Sequence, residues 1–271
     1  MACNKLIVLV SCMYQTGTSI IERLKLQTDS IVVNQCDEDA RYDYNFVNDQ
    51  GKVCHVIYIN TTERGLSKSR NMAIRNAPNN CICLLCDDDE ILTPNYESLI
   101  LNGYQERPDA DLIAHSLNWD GFGKTYPQKR FKLSIIDALR VCSVQITFKS
   151  SSVKNHRILF DEMLGSGTGN GAGEENRFML DCRKSKFNMY YNPSIIATIS
   201  QGESKWFKGY DKKYFNNFGW SARRVYKNFL LTICIILYSG IKKYPLYKKN
   251  FSLFNALKEM LKGMTEKRGD L

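Results

Sequence analysis

Four acidic residues in succession, Asp87-Asp88-Asp89-Glu90, close an apolar run that begins at Cys81. Adjacent carboxylates repel one another unless a cation sits among them. Alternate residues of a strand face one side, so the spacing predicts that Asp87 and Asp89 converge. Two carboxylates with open coordination positions suit Mg2+ or Mn2+ holding a diphosphate, because hard cations prefer oxygen ligands. A solvated acidic turn is the competing reading. The three histidines, His55, His115 and His156, are scattered, which argues against a His-based zinc site.

A second acidic pair, Glu174-Glu175, follows the glycine-rich stretch from Gly165 to Gly173 and opens a predicted helix. The dipole of a helix N-terminus favours the ionised carboxylate, the form a general base toward a hydroxyl group needs. Simple stabilisation of the helix start explains the pair equally well. The stretch contains a formal G-x-G-x-x-A from Gly167 to Ala172. No apolar strand leads directly into it, so it reads as a flexible loop rather than a dinucleotide fingerprint. The third element is Glu63-Arg64-Gly65-Leu66-Ser67-Lys68-Ser69-Arg70-Asn71, after a predicted strand and at a helix start. Basic and hydroxyl side chains there can meet a phosphate, or they can form an ordinary charged helix surface. No G-x-x-x-x-G-K-S/T occurs, so a P-loop reading lacks its main support.

These groups need elements to hold them. Strands are expected over 5–12, 30–34, 53–59, 81–86 and 111–117, and helices over 18–27, 65–77 and 94–105. Short, continuously apolar strands alternating with helices predict an α/β fold with a mostly parallel sheet covered on both faces. In such sheets ligands bind beyond the carboxyl ends of the strands, where the acidic run stands. After about residue 120 the pattern is less regular, with strands expected at 143–148 and 195–199 and a helix at 174–186.

The 271 residues are 44% hydrophobic and 24% charged, and the chain carries +9 overall. Those proportions exclude a disordered or fibrous chain. Ten cysteines follow no disulfide framework, and six of them, Cys12, Cys81, Cys83, Cys86, Cys142 and Cys234, sit in apolar runs. Reduced thiols in a cytoplasmic setting are expected, with the nominal C-x-x-C of Cys83 and Cys86 read as core strand. The opening apolar run is too short for a signal core. Residues 205–249 hold eleven Lys or Arg and one Asp, a net +10, whereas residues 1–204 hold 22 basic and 24 acidic groups, a net −2. A near-neutral body with a basic C-terminal segment points to an anionic partner, either nucleic acid or an acidic membrane surface.

Taken together, the opening strand, Gly65–Asn71, Leu85-Cys86-Asp87-Asp88-Asp89-Glu90-Ile91-Leu92 and Gly173-Glu174-Glu175 resemble family 2 glycosyltransferases of the GT-A fold. The resemblance covers roughly residues 4–210. It is nearest to transferases of bacterial capsule and exopolysaccharide assembly, with Gly202–Tyr210 similar to a segment of that subgroup. It implies a Rossmann-like nucleotide-binding sheet and a nucleotide-diphosphate sugar donor, usually a uridine one. It also implies a divalent cation, Mn2+ or Mg2+, held by Asp89 and Asp87. Asp87, Arg70, Asp37 and Ser11 are then expected on the donor side. The second acid of the family's Glu-Asp pair is the usual base; here that position is Glu175, one methylene longer, with Glu174 beside it. Asn34-Gln35-Cys36-Asp37 stands where many members carry paired aspartates. The implied reaction is inverting transfer to a hydroxyl of a glycan or polyprenyl-linked glycan. A sugar-1-phosphate nucleotidyltransferase would need a basic glycine-rich loop after the first strand, but Ser11–Gly17 has no Lys or Arg. A nucleic-acid-binding protein would use the basic tail, but no finger or RNA-binding signature accompanies it.

The expected organisation is a transferase domain over residues 1–217, with a donor half to about 118 and an acceptor half after it. A basic helical extension follows over 218–271. Asn228–Ile241 is uncharged and flanked by Lys227 and Lys242. As a helix it would reach about 21 Å, short of the ~30 Å hydrocarbon core. Docking on the inner face of an anionic membrane is therefore expected rather than a span, with packing on the protein's own core as the alternative.

Overall fold

The computed structural model describes residues 5–120, 125–199, 207 and 209–269. The chain forms two compact units: residues 1–64, 68–160 and 178–202 make the first, and residues 65–67, 161–177 and 203–271 the second.

The first unit opens with β1 (Leu6–Met13), α1 (Ser19–Leu24), β2 (Ser30–Gln35), β3 (Ala40–Val47) and β4 (Val53–Thr61). Next come α2 (Leu66–Asn76), whose first two residues belong to the second unit, β5 (Ile82–Asp87), β6 (Glu90–Leu92), α3 (Tyr96–Glu106) and β7 (Leu112–Trp119). It continues through β8 (Phe131–Lys132), α4 (Ile135–Ala138), β9 (Ile146–Lys149) and α5 (Ser150–Asn155). Helix α6 (Glu174–Lys184) starts in the second unit and ends in the first, and β10 (Met189–Ile199) completes the sheet. The strand order is β3-β4-β2-β1-β5-β9-β7-β10-β6, with β8 on β10.

Strands β4, β2, β1 and β5 run parallel, as the continuously apolar runs predict. The sheet as a whole is mixed, because β3, β6, β8 and β9 pair antiparallel with their neighbours. Alternation along each central strand feeds two cores. Ile7, Leu9, Ile31, Val33, Cys83 and Leu85 face Ala73 and Ile74 of α2 and Phe178 and Met179 of α6. Leu6, Val8, Val10, Val32, Leu84 and Cys86 face Ile20 and Leu24 of α1 and Tyr96 and Ile100 of α3. Both faces of the sheet are thus covered, which is why the strands carry almost no polar residue until their carboxyl ends. Cys83 and Cys86 are buried core residues, and every described cysteine is a free thiol.

The second unit contains α7 (Lys212–Tyr226), α8 (Phe229–Tyr247) and α9 (Leu253–Thr265) around Phe215, Ile236, Tyr247, Ala256, Met260 and Met264. Helix α7 runs through the boundary expected at residue 217. Helix α8 is 19 residues long, about 28 Å at 1.5 Å per residue, because it continues through Lys242, Lys243 and Pro245. By length and composition alone α8 is therefore sufficient to cross a membrane, unlike the fourteen residues Asn228–Ile241. The segment Gly202–Tyr210 lies mostly outside the described residues.

Candidate functional site

The parallel strands end in polar residues. In the β1–β5 ladder Ser11 stands opposite Asp87, so these two mark the carboxyl edge of the sheet. Helix α2 carries a buried polar face beneath that edge. Ser69 Oγ lies 2.9 Å from Ser11 Oγ. Asn71 clamps the backbone of Phe160, donating from Nδ2 to its carbonyl at 2.9 Å and accepting its N–H at 2.8 Å. Arg70 is 2% exposed; its Nη2 donates to both carboxylate oxygens of Asp87 at 2.9 Å and to Ser143 Oγ at 2.7 Å. The expectation was an arginine open to a diphosphate. Instead its planar head is turned inward and holds the Asp87 carboxylate through charge-assisted hydrogen bonds from Nη2.

Asp87 is the last residue of β5, and Asp88 and Asp89 form the turn into β6. Convergence by strand alternation therefore does not apply: Asp89 owes its position to the turn. Asp89 is exposed at the turn, yet partial desolvation of its carboxyl, followed by the charges of Asp87 and Asp88, raises it above its usual range. Asp88 is raised in the same direction, first by burial, with Arg23 opposing. Glu90 was read only as one of four acids, but it is buried at 2% exposure. Its Oε1 accepts the Asp87 N–H at 2.7 Å while Oε2 has no hydrogen-bond partner. Burial, then Asp87, raises its carboxyl well above the usual range. The signal for Glu90 was its place as first residue of a short strand, where alternation turns it inward.

A divalent cation fits this edge. Among the described residues no group of three or more His, Cys, Asp or Glu side chains forms a metal cage. The chain supplies instead a run of adjoining carboxylates, of which Asp88, Asp89 and Glu90 have their ionised forms penalised as they stand. A dication would offset that penalty and keep positions for phosphate and water oxygens, the pattern of Mg2+ rather than of a structural zinc site.

Asp37 sits after β2 at 80% side-chain exposure, paired with Arg64 Nη2 at 2.6 Å and accepting from Tyr14 OH at 3.2 Å. Arg64 also lies 5.5 Å from the centre of the Tyr14 ring. Asn34, read as a departure from the family pattern, ties the loop after β1 to β4: its Nδ2 donates to the Gln15 carbonyl at 3.0 Å and to Asn60 Oδ1 at 2.9 Å.

The glutamate pair belongs to the second unit. Glu174 is buried and its Oε2 accepts the Gly173 N–H at 3.0 Å, whereas Glu175 is half-buried. The glycine-rich stretch before them is a hydrogen-bonded turn structure and not a loose loop. Gly165 N–H donates to the Gly171 carbonyl at 2.9 Å, Thr168 Oγ1 to the Gly165 carbonyl at 2.8 Å, and Leu66 N–H to the Ser166 carbonyl at 3.0 Å. Gly165 has φ +98° and a Cβ there would press on the Glu174 carboxyl carbon. The positive φ favours glycine there, and the space beside it is tight.

The chain resembles crystal structures of S. aureus TarS residues 1–349, one solved with UDP-GlcNAc (TM-score 0.63) and one with UDP (TM-score 0.59). Each alignment has 13% identity and covers 96% of this chain and 81% of that one. At that identity the likeness carries the fold, the GT-A type expected from the sequence. No curated protein matches by sequence. The family model for glycosyl transferase family 2 matches residues 10–161, more than half of the 271 residues, and takes in the end of β1, all of α2 and the acidic end of β5: the chain belongs to glycosyl transferase family 2.

Proposed function

We propose that this glycosyltransferase moves a sugar from a uridine-diphosphate donor to a hydroxyl of a glycan or polyprenyl-linked glycan, with inversion at the anomeric carbon. The observation that carries the reading is the Asp87–Asp89 edge, with Asp87 held by buried Arg70. The fold relatives add support on the donor, since TarS was crystallised with UDP-GlcNAc and with UDP. Asp89 and Asp87 are the residues that would hold Mn2+ or Mg2+, and a bound dication would stabilise charge on the departing diphosphate. Ser11 and Asp37 complete the donor side. Arg70 acts as a positioning residue that fixes Asp87.

The acceptor step falls to Glu175. Its carboxylate takes the proton as the acceptor oxygen forms a bond to the anomeric carbon and the bond from that carbon to the diphosphate oxygen breaks. The nucleoside diphosphate leaves from the opposite face, so no covalent enzyme intermediate forms. Glu175 is the more accessible of the pair, whereas Glu174 is buried and bonded to the loop. Glu175→Gln retains shape and removes the acceptor for the proton. Turnover should fall by about 10²-fold or more, with donor affinity kept. Normal turnover in Glu175→Gln alongside loss in Glu174→Gln would transfer the role to Glu174.

A further inference from the structure

Helix α8 has two unlike faces. Thr232, Ile236, Gly240 and Tyr247 are buried within the second unit. A Cβ at Gly240 would run into the Leu257 side chain of α9, so the two helices approach closely on that side. The opposite face is apolar and open: Leu230 is 74% exposed, Leu237 42%, Tyr238 62% and Ile241 61%, with Cys234 exposed among them. The spacing 230, 234, 237, 241 forms one continuous stripe along the helix. Soluble chains rarely leave such a stripe uncovered.

The charges around the stripe name its partner. Residues 212–258 contain ten Lys or Arg and no Asp or Glu. Lys227, Lys242, Lys248 and Lys249 are exposed at or beyond the ends of α8. Lys242 Nζ lies 5.3 Å from the centre of the Tyr238 ring, so cation and aromatic share one patch. A second copy of this chain would bring two such basic rims together, and a nucleic acid would offer phosphates to the lysines but leave the leucines wet. An anionic lipid surface satisfies both: acyl chains cover the stripe and headgroups meet the lysines.

We infer that α8 lies in the plane of an anionic membrane, stripe downward, without crossing it. A transmembrane α8 would have to withdraw Ile236 and Tyr247 from the core of its own unit, whereas surface docking leaves that core intact. The inference uses neither the donor nor the base, so it stands or falls separately from the proposed reaction.

The test is flotation of the full chain with vesicles of phosphatidylcholine alone or mixed with phosphatidylglycerol. Binding should appear on the anionic vesicles, weaken at least tenfold at 0.5 M salt, and be released by alkaline carbonate. Leu230→Glu/Leu237→Glu/Ile241→Glu should abolish it, and Lys242→Gln/Lys248→Gln/Lys249→Gln should weaken it at least tenfold. The lysine variant leaves every apolar residue in place, so it keeps the result interpretable if the glutamates disturb folding. Equal flotation of wild type and lysine variant overturns the inference, as does retention after carbonate, which marks a spanning helix. A dimer in sedimentation that the glutamate variant abolishes, with no vesicle binding, overturns it in favour of a self-interface.

Discussion

Asp89 illustrates how a residue's cost reports its use. Partial desolvation and the neighbouring charges of Asp87 and Asp88 disfavour its ionised form, so its carboxyl titrates higher folded than unfolded. Such a group stabilises the fold fully below its ordinary value of 3.8, and that contribution is lost as pH rises through the elevated folded value. At neutral pH, Asp89→Asn should therefore melt no lower than wild type. Any gain should vanish as pH falls toward the ordinary carboxylate range. Mn2+ should raise the melting temperature of wild type and not of the variant, while transfer by the variant falls by about 10²-fold or more. A variant that melts lower at pH 7 and still gains from Mn2+ would remove Asp89 from the metal. The acidic run was legible because charge after an apolar strand has no packing reason to exist. The inward turn of Arg70 was not, since its partners Asp87 and Ser143 lie 17 and 73 residues away and nothing local orients an arginine on a helix.

At the level of elements, the strands that build the nucleotide side read directly from their apolar runs, whereas β3 gave no such run and β10 only its second half. Edge strand β3 is largely exposed and polar, so it lacks the continuous apolar signal. Its one trace is the aromatic at every second position, Tyr42, Tyr44 and Phe46. Strand β10 was seen only from Ile195, because Asn192-Pro193 reads as a break; the structure carries the strand through with a shift in register between Asn192 and Ile195. The 19-residue α8 outran its predicted end because tertiary contacts through Tyr247 hold residues whose composition alone suggests a stop. The packing of α7 against α9 rests on glycine. A Cβ at Gly219 would overlap the Met260 carbonyl, and one at Gly263 the Asn216 carbonyl. These are backbone atoms and cannot step aside. Gly219→Ala and Gly263→Ala should each cost about 1–3 kcal/mol, measured as lower midpoints in denaturant titrations. Unchanged midpoints in both would mean the helices do not cross at these glycines.

For the whole molecule, charge and chemistry are divided along the chain. The near-neutral first 204 residues carry the sheet and its acidic edge, and the basic excess falls in the segment that follows. That division was legible by counting, because net charge needs no fold. Which face of α8 the leucines occupy required the helix to be packed. The central claim is that the acidic edge of the sheet takes a nucleoside-diphosphate sugar with a dication. The most direct measurement is release of nucleoside diphosphate by the full chain from uridine, guanosine and thymidine diphosphate sugars, with Mn2+ or Mg2+ and with EDTA. Release from uridine donors that requires the metal, and that Asp89→Asn abolishes, is the expected result. Absence of release from every donor in the presence of metal, or full release in EDTA, would contradict it.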